Sequence, residues 1–423
     1  MRFEITGIKL NKHKLSSNEA IRDIGLPKVV HLPLKKHIGH PASPVVNVGD
    51  KVKIGTLVAQ ANNSISANVH SSVAGKVSKI DESYISVDVA KDEYEDFIDT
   101  SDELITEIPQ NKTEILEKIR SAGIVGMGGA GFPTDIKLTI PEGKEIKCLI
   151  INGIECEPYF TSDERIMLEK AEEIVIGARI INRILGIQNA IIAIDENKKK
   201  AFDVLNTITK RYIGVNVVML KTKYPQGAEK MLIEAVSGQE VPSGKLPADI
   251  GYVVQNSGTV FSIYEAVMKN KPLYERVVTV SGTAIVKPRN YMARVGTPLS
   301  FIIEKLKIEM NDVEEVILGG PMMGTDVDDF SLPLSKVDAG VLFMKNAKPE
   351  TEESVCIRCN KCAQHCPVSL QPFALASSFK NGDKPNLYKL RALDCINCGI
   401  CSYVCPAKIP LLDYIKQAKN EIR

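Results

Sequence analysis

One cysteine run occurs twice in the last part of the chain and constrains its architecture more than any other feature. The two runs are Cys356, Cys359, Cys362 and Cys366 before Pro367, and Cys395, Cys398, Cys401 and Cys405 before Pro406. Gaps of two residues allow three thiolates to reach one face of an iron–sulfur cube, and the proline turns the chain away after the fourth cysteine. The runs therefore predict a module built around two 4Fe–4S clusters.

The fourth cysteine of each run is predicted to bind the cluster of the other run, as in two-cluster ferredoxins. By that pattern, one cluster has the ligands Cys356, Cys359, Cys362 and Cys405, and the other has Cys395, Cys398, Cys401 and Cys366. The alternatives are structural zinc and unligated thiols, although zinc sites typically use two cysteine pairs separated by a longer gap. The crossing would tie both runs into one fold.

Composition excludes several classes of protein. A length of 423 residues indicates about three domains, and a formal net charge of +1 provides no field that would attract nucleic acid. No apolar run reaches the ~18 residues of a membrane span, and no export signal is evident, so a reducing cytosolic environment is expected. Cys148, in an apolar run, is predicted to pack in the core, and Cys156, between two glutamates, is not predicted to be a reactive thiol.

Patterning along the chain predicts a multidomain α/β protein with β modules. Residues 1–95 contain Val- and Ile-rich runs after an N-terminal arm, residues 96–270 alternate strands and helices, residues 271–345 are β-rich, and residues 346–423 contain the cysteine runs. The pattern GDKVKIG followed by SSVAGKV resembles the barrel-sandwich fold of biotinyl and lipoyl domains. Residues 61–65, where such carriers have their acceptor lysine, contain none, so this module is predicted to be structural.

A glycine-rich loop, GMGGAGFPT, starts at Gly126 and contains the pattern G-x-G-x-x-G. A dinucleotide-binding fold would need a strand before the glycines and a helix after them, whereas KTEILEKIRSAGIV is typical of a helix and Pro133 interrupts the residues after the glycines. The glycines still allow backbone N–H groups to approach a phosphate or a flat ring, with Lys137 supplying positive charge. A tight surface turn is the alternative interpretation.

Several motifs together resemble known redox proteins. GMGGAGFPTDIK is similar to the glycine loop of the flavin-bearing, NADH-oxidising subunit of respiratory complex I, and INGIECEPYFTSDER is similar to that family's N-x-x-E-x-E-P segment. With its barrel-sandwich start and two-cluster end, the whole chain resembles the RnfC subunits of the Rnf complexes, which are ion-pumping ferredoxin:NAD oxidoreductases. ERVVTVSGTAIVKP with ILGGPMMG resembles the β-grasp unit of this family. The resemblance implies an α/β FMN and NADH domain, a β-grasp domain and an α-helical ferredoxin-like module.

The resemblance also implies the residues that hold the cofactors. Non-covalent FMN would be held by Gly126, Gly128, Gly129, Gly131, Lys137, Asn152, Glu155 and Tyr224, with Asn256 and Thr259 on its phosphate side. NAD(H) would contact Phe132, Glu157, Glu229 and Lys245. Lys137 and Glu157 are the predicted catalytic residues. Two positions depart from the pattern, because Ile154 replaces an acidic residue and Gln255 replaces an asparagine.

The function implied by the resemblance is exchange of a hydride between NAD(H) and FMN and of single electrons through the clusters, coupled to Na+ or H+ transport. The expected partners are membrane subunits and an iron–sulfur subunit of an Rnf complex and, indirectly, ferredoxin, at the cytoplasmic face of the membrane. The segment ITGIKLNK departs from the usual start of that family. Two alternatives remain open: a stand-alone flavoprotein that feeds a soluble cobalamin or proline reductase, and a flavin-free electron-bridging adaptor.

Overall fold

Two small antiparallel sheets form the N-terminal module. The computed structural model describes residues 3–62, 65–345 and 352–422, so part of the lysine-free stretch lies outside the described residues. Strands β1 to β8 are Arg22–Asp23, Val29–Pro33, Ser43–Pro44, Lys51–Val52, Leu57–Gln60, Val69–His70, Gly75–Ile80 and Tyr84–Val89. One sheet has the order β2, β8, β7, β4 and the other β3, β5, β6. Val30, Leu32 and Val87 are fully buried in the shared core because alternate residues of a strand share one face.

A parallel sheet of four strands is the centre of the α/β domain. Its elements are α1 Lys112–Ser121, α2 Thr134–Leu138, β9 Cys148–Gly153, α3 Ser162–Glu169, α4 Ala171–Leu185, β10 Ala190–Asp195, α5 Lys199–Thr209, β11 Val215–Leu220, α6 Glu229–Ser237, β12 Tyr252–Asn256 and α7 Ser257–Lys269. Helices cover both faces, so the first four residues of β9 are apolar: Leu149 and Ile151 pack on one side, and Cys148 and Ile150 on the other. The predicted core position of Cys148 is confirmed.

The order of this sheet places a crevice beside β9. The strands are ordered β11, β10, β9, β12, so the chain moves from β9 in one direction to β10 and β11 and later returns to the opposite side of β9. In open parallel sheets, ligands bind at the carboxyl ends of the strands where the order reverses in this way. Asn152 and Asn256, at those ends of β9 and β12, are direct partners in the register.

Helix α3 has no counterpart in the helical runs read from the sequence. The run KTEILEKIRSAGIV, residues 112–125, contains α1, and the helical run EKAEEIVIGARIINRILG contains α4, which is followed by Gly186, whose φ of 70° suits glycine. Helix α3 begins at Ser162, inside the segment that carries the predicted site residues. Asp163 and Glu164 in its first turn are acidic, which suits the positive end of a helix dipole.

The third unit is a six-stranded mixed sheet to which the N-terminal arm contributes. Its elements are β13 Glu275–Ser281, β14 Arg289–Arg294, α8 Leu299–Leu306, β15 Glu315–Leu318, β16 Thr325–Asp326 and β17 Gly340–Met344. The sheet order is β1, β14, β13, β17, β15, β16. Strand β1 lies in the N-terminal arm, residues 3–28, and pairs parallel to β14. The arm therefore joins this sheet and not the two sheets of the N-terminal module. The domain limits at 95, 270 and 345 stay predictions, and residues 346–351 lie outside the described part.

The last module consists of short helices around the cysteines. They are α9 Lys361–Gln364, α10 Pro372–Lys380, α11 Lys384–Lys389, α12 Ile400–Tyr403 and α13 Leu411–Glu421. Leu375, Leu387 and Ile415 form its buried core, so the apolar face of α13 packs within the module, as its pattern predicts. Among the helices described, none has the length and apolar character required to cross a bilayer.

The two cysteine runs follow the same backbone path. Left-handed φ values between 53° and 76° occur at three equivalent positions of the two runs. The equivalent pairs are Arg358 and Asn397, Asn360 and Gly399, and Ser369 and Lys408. Each run also has a four-residue helix, α9 or α12, that carries its third cysteine. The module is therefore an internal repeat in structure as well as in sequence.

Candidate functional site

Two cavities in the last module are each lined by four cysteines. Cys356, Cys359, Cys362 and Cys405 line a cavity of about 170 Å³, which we call the first cysteine site. Cys366, Cys395, Cys398 and Cys401 line the second cysteine site, which has about 20 Å³ of free volume. Each site combines three cysteines of one run with the fourth cysteine of the other, the grouping predicted from the sequence. Within the described ranges, no group of three or more His, Cys, Asp or Glu side chains is arranged to hold a single metal ion.

The two cysteine sites differ in access to solvent. Cys356 and Cys359 of the first site are exposed, whereas Cys398 and Cys401 of the second site are buried. Beside the first site, Val355 retains 88% of its accessible surface. The first site therefore faces outward, and the second lies against the α/β domain.

Contacts on three sides fix the glycine loop. The Gly126 N–H donates to Phe132 O over 2.9 Å and closes the loop. The Met127 N–H donates to Thr259 Oγ1 over 2.9 Å, so the loop is attached to the first turn of α7. Gly128 lies so close to Asn256 that an added Cβ would be 2.9 Å from the Asn256 Cβ.

Gly131 and Gly129 have opposite surroundings. At Gly131, where φ is 69°, an added Cβ would be 3.0 Å from the His37 Cα, so the N-terminal module presses against the loop. At Gly129, an added Cβ would have no heavy atom within 4 Å. Gly129 is therefore the exposed backbone of the loop that a phosphate or a flat ring can approach, and the loop fits a bound FMN.

The two asparagines at the carboxyl ends of β9 and β12 hold the crevice in place. Asn256 Oδ1 accepts from the Thr259 N–H over 3.2 Å and caps α7, while its Nδ2 donates to Asp163 Oδ2 over 2.8 Å. Asn152 Nδ2 donates to Gly227 O over 2.8 Å. Burial, followed by the charge of Glu155, raises the pKa of Asp163 to about 6.

Lys137 and Glu229 form an ion pair beside the glycine loop. Lys137 Nζ lies 2.8 Å from Glu229 Oε1, and both side chains are partly exposed. The residue predicted to hold flavin is thus adjacent to one predicted to hold the nucleotide. Lys245, by contrast, is exposed. The pKa of Asp249 is lowered mainly by a hydrogen bond from Lys144 and to a lesser extent by the charge of Lys245. In the described ranges, no hydrogen bond or ion pair joins Lys245 to another predicted site residue.

Glu155 and Glu157 lie on the loop 154–161, which connects β9 to α3. Glu155 Oε1 accepts from the Asp163 N–H over 2.7 Å. Glu157 Oε2 accepts from the Met322 N–H over 3.2 Å, from the ILGGPMMG segment of the third unit. Burial raises the pKa of Glu157 to about 7. Burial and Glu157 also raise the pKa of Cys156 to about 12, which agrees with the expectation that this thiol is unreactive.

Tyr224 joins the α/β domain to the second cysteine site. It is buried, and its hydroxyl donates to the backbone carbonyl of Cys398 over 2.8 Å. The resemblance assigned Tyr224 to flavin, and this contact places the same residue against a predicted cluster ligand. Its contact with flavin stays a prediction.

Comparison with known proteins identifies the family. Residues 2–93 match the family model described as the RnfC barrel sandwich hybrid domain, residues 119–265 the Nuo51 FMN-binding domain, and residues 355–409 a 4Fe-4S dicluster domain. A relative from Clostridium ljungdahlii is the C subunit of its proton-translocating ferredoxin:NAD(+) oxidoreductase complex. The chain is 42% identical to it, over 97% of its own length and 92% of the relative's. The chain belongs to the RnfC family.

A second relative agrees with this RnfC assignment, and two solved structures share the fold. The C subunit of the Na(+)-translocating ferredoxin:NAD(+) oxidoreductase complex of Acetobacterium woodii is 39% identical, over 94% of this chain and 91% of the relative. Two structures of NAD+-reducing NiFe-hydrogenase share the fold, with TM-scores of 0.52 and 0.55 at 18% and 19% identity. The first match covers 67% of this chain and 55% of the hydrogenase chain, and the second covers 74% and 63%.

The family models confirm the predicted fold class and cofactors. This RnfC-family chain has the barrel-sandwich, FMN-binding and dicluster modules expected from its sequence, and its cofactors are FMN and two 4Fe–4S clusters. The assignment of single residues to those cofactors stays a prediction that the geometry of the two cysteine sites and of Gly129 supports.

Three residues near the RnfC site were not found from the sequence. Lys14 Nζ donates to three carbonyls of the loop 154–161, and Lys198 Nζ donates to Ile154 O over 2.7 Å. Asp163 holds Asn256. Of the three, Asp163 lies within the segment that resembles the complex I protein, so that resemblance could have found it. Lys198 starts a run of three lysines, a pattern typical of a solvated face, and Lys14 has no local signal.

Proposed function

We propose that this chain exchanges a hydride with NAD(H) at non-covalent FMN and passes single electrons through its two clusters, as a peripheral subunit of an Rnf-type complex. FMN supplies the conversion between two-electron and one-electron chemistry, because nicotinamide reacts in two-electron steps and the clusters in one-electron steps. The related proteins are named as translocating ferredoxin:NAD(+) oxidoreductase subunits. By that relation, electron transfer in the complex is coupled to Na+ or H+ transport across the membrane.

The observation that carries the proposal is the contact of Tyr224 with Cys398. It joins the domain matched as FMN-binding to the second cysteine site through a buried hydrogen bond of 2.8 Å. The ILGGPMMG segment lies at the same junction, since its Met322 N–H reaches Glu157 and an added Cβ at Gly399 would be 2.7 Å from Met322 O. The flavin crevice and the cluster module are therefore built against each other.

Each group of residues has a distinct role in this proposal. The open backbone at Gly129 and the capped N-terminus of α7 bind the anionic flavin phosphate, and Lys137 supplies positive charge. Glu157 and Glu229 accept hydrogen bonds from the nucleotide and orient it. The Met322 N–H of the third unit holds Glu157 Oε2. These groups hold the reacting partners in a fixed geometry.

The exposed first cysteine site is where a partner protein of the complex would receive or deliver electrons. Its Cys356 and Cys359 are exposed, and the neighbouring Val355 and Ile357 retain 88% and 67% of their accessible surface. Large apolar side chains at such exposure are typical of contact surfaces. The membrane and iron–sulfur subunits of an Rnf complex are the proposed partners, at the cytoplasmic face.

An anaerobic reduction experiment tests the proposal. We expect purified, reconstituted protein to contain about eight iron and about one FMN, and NADH to bleach the absorbance of both. Iron without flavin would favour the electron-bridging adaptor, and flavin that NADH does not reduce would contradict the proposed donor. Recovery of the native protein in the soluble fraction, away from membranes, would favour a soluble reductase partner instead.

Replacing Glu157 with Gln tests the nucleotide contact. Because the pKa of Glu157 is raised to about 7, its carboxylate fraction increases from about pH 6 to about pH 8, and the ionised form is the stronger hydrogen-bond acceptor. The dissociation constant of NADH should therefore fall as pH rises in the wild type. In Glu157→Gln it should be about tenfold higher at about pH 8 and independent of pH, with the flavin content unchanged. Binding titrations at several pH values measure both.

The matched control is Glu304→Gln, which removes an exposed carboxylate of α8 outside the site. It should bind NADH with the wild-type pH dependence. If Glu157→Gln also retains that dependence, the nucleotide does not depend on the Glu157 carboxylate.

A further inference from the structure

The N-terminal arm, residues 3–28, reaches the loop 154–161 through one lysine. Lys14 Nζ donates to the carbonyl oxygens of Glu155 over 2.8 Å, Glu157 over 3.0 Å and Phe160 over 2.5 Å. Its side chain is only 12% exposed, and Glu155 Oε2 lies 3.9 Å from the ammonium. An ammonium has three donors, and here all three are used by one loop. The loop is thus folded around Lys14.

The loop adopts a conformation that needs external support. Glu155 has a φ of 46° and Tyr159 a φ of 69°, and side chains with a Cβ rarely occupy this left-handed region. Such backbone persists only where surrounding contacts impose it. The arm provides them, because the Tyr159 N–H donates to Lys12 O over 2.9 Å and the His13 ring stacks on Tyr159 with centroids 4.8 Å apart.

A second buried lysine holds the start of the same loop. Lys198 Nζ donates to Ile154 O over 2.7 Å and lies 4.0 Å from Glu155 Oε2. Glu155 thus lies between two ammonium groups, and its other oxygen accepts from the Asp163 N–H. Lys198 therefore holds the first residue of the loop, and Lys14 holds the backbone at Glu155, Glu157 and Phe160.

We propose that Lys14 is a positioning residue that holds the loop 154–161 so that the Glu157 carboxyl faces the nucleotide. The inference rests on the proposed function, which assigns Glu157 to NAD(H). Lys14 holds the Glu157 carbonyl and the Met322 N–H holds its Oε2, so this residue is held at both its backbone and its side chain. Without Lys14, three carbonyls lose their donor and the loop relaxes away from its strained form. The glycine loop makes none of these bonds, and Glu155, the predicted flavin contact on the loop 154–161, is still held by Lys198 and by the Asp163 N–H, so most flavin binding is retained without Lys14.

The test compares Lys14→Met with Lys12→Met. Methionine keeps the length of the side chain and removes the ammonium. Lys12 is on the same arm, and its Nζ donates to Thr222 Oγ1 and not to a carbonyl of the loop, so its replacement removes a contact between the arm and the α/β domain without removing a donor from the loop. The holoprotein with flavin and clusters is used throughout. NADH binding is titrated, flavin reduction is followed in a single turnover, and amide hydrogen exchange is measured in residues 154–161.

We expect Lys14→Met to raise the NADH dissociation constant at least about tenfold and to accelerate hydrogen exchange in the loop. Flavin and iron contents should remain within about twofold of the wild type, and the rate of flavin reduction at saturating NADH should fall by a smaller factor than the affinity. Lys12→Met should match the wild type in NADH affinity. This separation of affinity from rate is not expected of a general loss of stability.

Two outcomes would overturn the inference in distinguishable ways. An unchanged NADH dissociation constant in Lys14→Met, with a wild type that binds NADH, would reject the role of Lys14 and leave the proposed function standing. A wild-type holoprotein that does not bind NADH would reject the proposed function and this inference with it. If Lys14→Met fails to fold, Lys14→Gln, which retains a donor for one carbonyl, should fold and show the same loss of affinity.

Discussion

Replacing Gly129 with valine should abolish flavin binding while the fold remains intact. An added Cβ at Gly129 meets no protein atom within 4 Å, so the variant introduces no clash within the protein. A valine side chain there occupies the space through which FMN approaches the backbone, and forcing methyl groups into a filled site typically costs about 1–3 kcal/mol. We expect flavin content to fall at least about tenfold, with the iron content retained. Released flavin, iron and the melting temperature measure the effect.

A graded substitution separates steric exclusion from a change of fold. Gly129→Ala adds one carbon and should weaken flavin binding less than Gly129→Val, with the same melting temperature for both. Gly128 is the contrasting position, because an added Cβ there would clash with Asn256 and a substitution should lower the melting temperature as well. Full flavin content in Gly129→Val would show that FMN does not lie against this loop.

Replacing single cysteines should remove one cluster at a time in the crossed pattern. Cys405 belongs to the second run but lines the first cysteine site, so Cys405→Ala should lose the first cluster and keep the second. Cys398→Ala should lose the second cluster and keep the first. Each variant should retain about four iron instead of about eight. In Cys405→Ala the remaining cluster adjoins Tyr224 and should still be reduced by NADH, whereas in Cys398→Ala reduction of the remaining cluster should be strongly slowed.

Electron paramagnetic resonance of the reduced variants distinguishes the two clusters, and Cys148→Ala is the control. Cys148 is a core residue of the α/β domain, so that variant should retain both cluster signals. If Cys405→Ala removes the same signal as Cys401→Ala, the fourth cysteine binds within its own run and the crossed assignment is wrong.

The parts of the fold and site that were predictable are those encoded over short distances. The spacing of two and three residues identifies the cysteine runs, and the analogy with two-cluster ferredoxins predicts their crossed grouping. The apolar runs in β9 and β10 are continuous because both sheet faces are covered. The ordinary helices α1 and α4 have clear periodicity. These features depend on neighbours in the sequence, and the family models confirm the modules that they predict.

The parts that were not predictable depend on contacts between distant segments. Lys14 is 141 residues from Glu155 in the chain, and an isolated lysine in a polar stretch carries no sign of such a contact. Tyr224 is 174 residues from Cys398, so its position between two modules depends on how they dock. Strand β1 of the arm pairs with β14 of the third unit, although it precedes the barrel-sandwich module. Pairings of this kind follow from tertiary packing and have no periodic signature.

The crossed cysteine sites impose an order on biogenesis. Because Cys405 lines the first site and Cys366 the second, neither site has its four cysteines until the second run has been synthesised. Domains fold in sequence as they leave the ribosome, so the flavin crevice can form while the cysteine module still lacks its last ligand. Metal binding and folding are coupled in small modules that surround their metal. Iron–sulfur assembly factors would therefore meet an already folded α/β domain, and a chain truncated between the two runs would mature neither cluster.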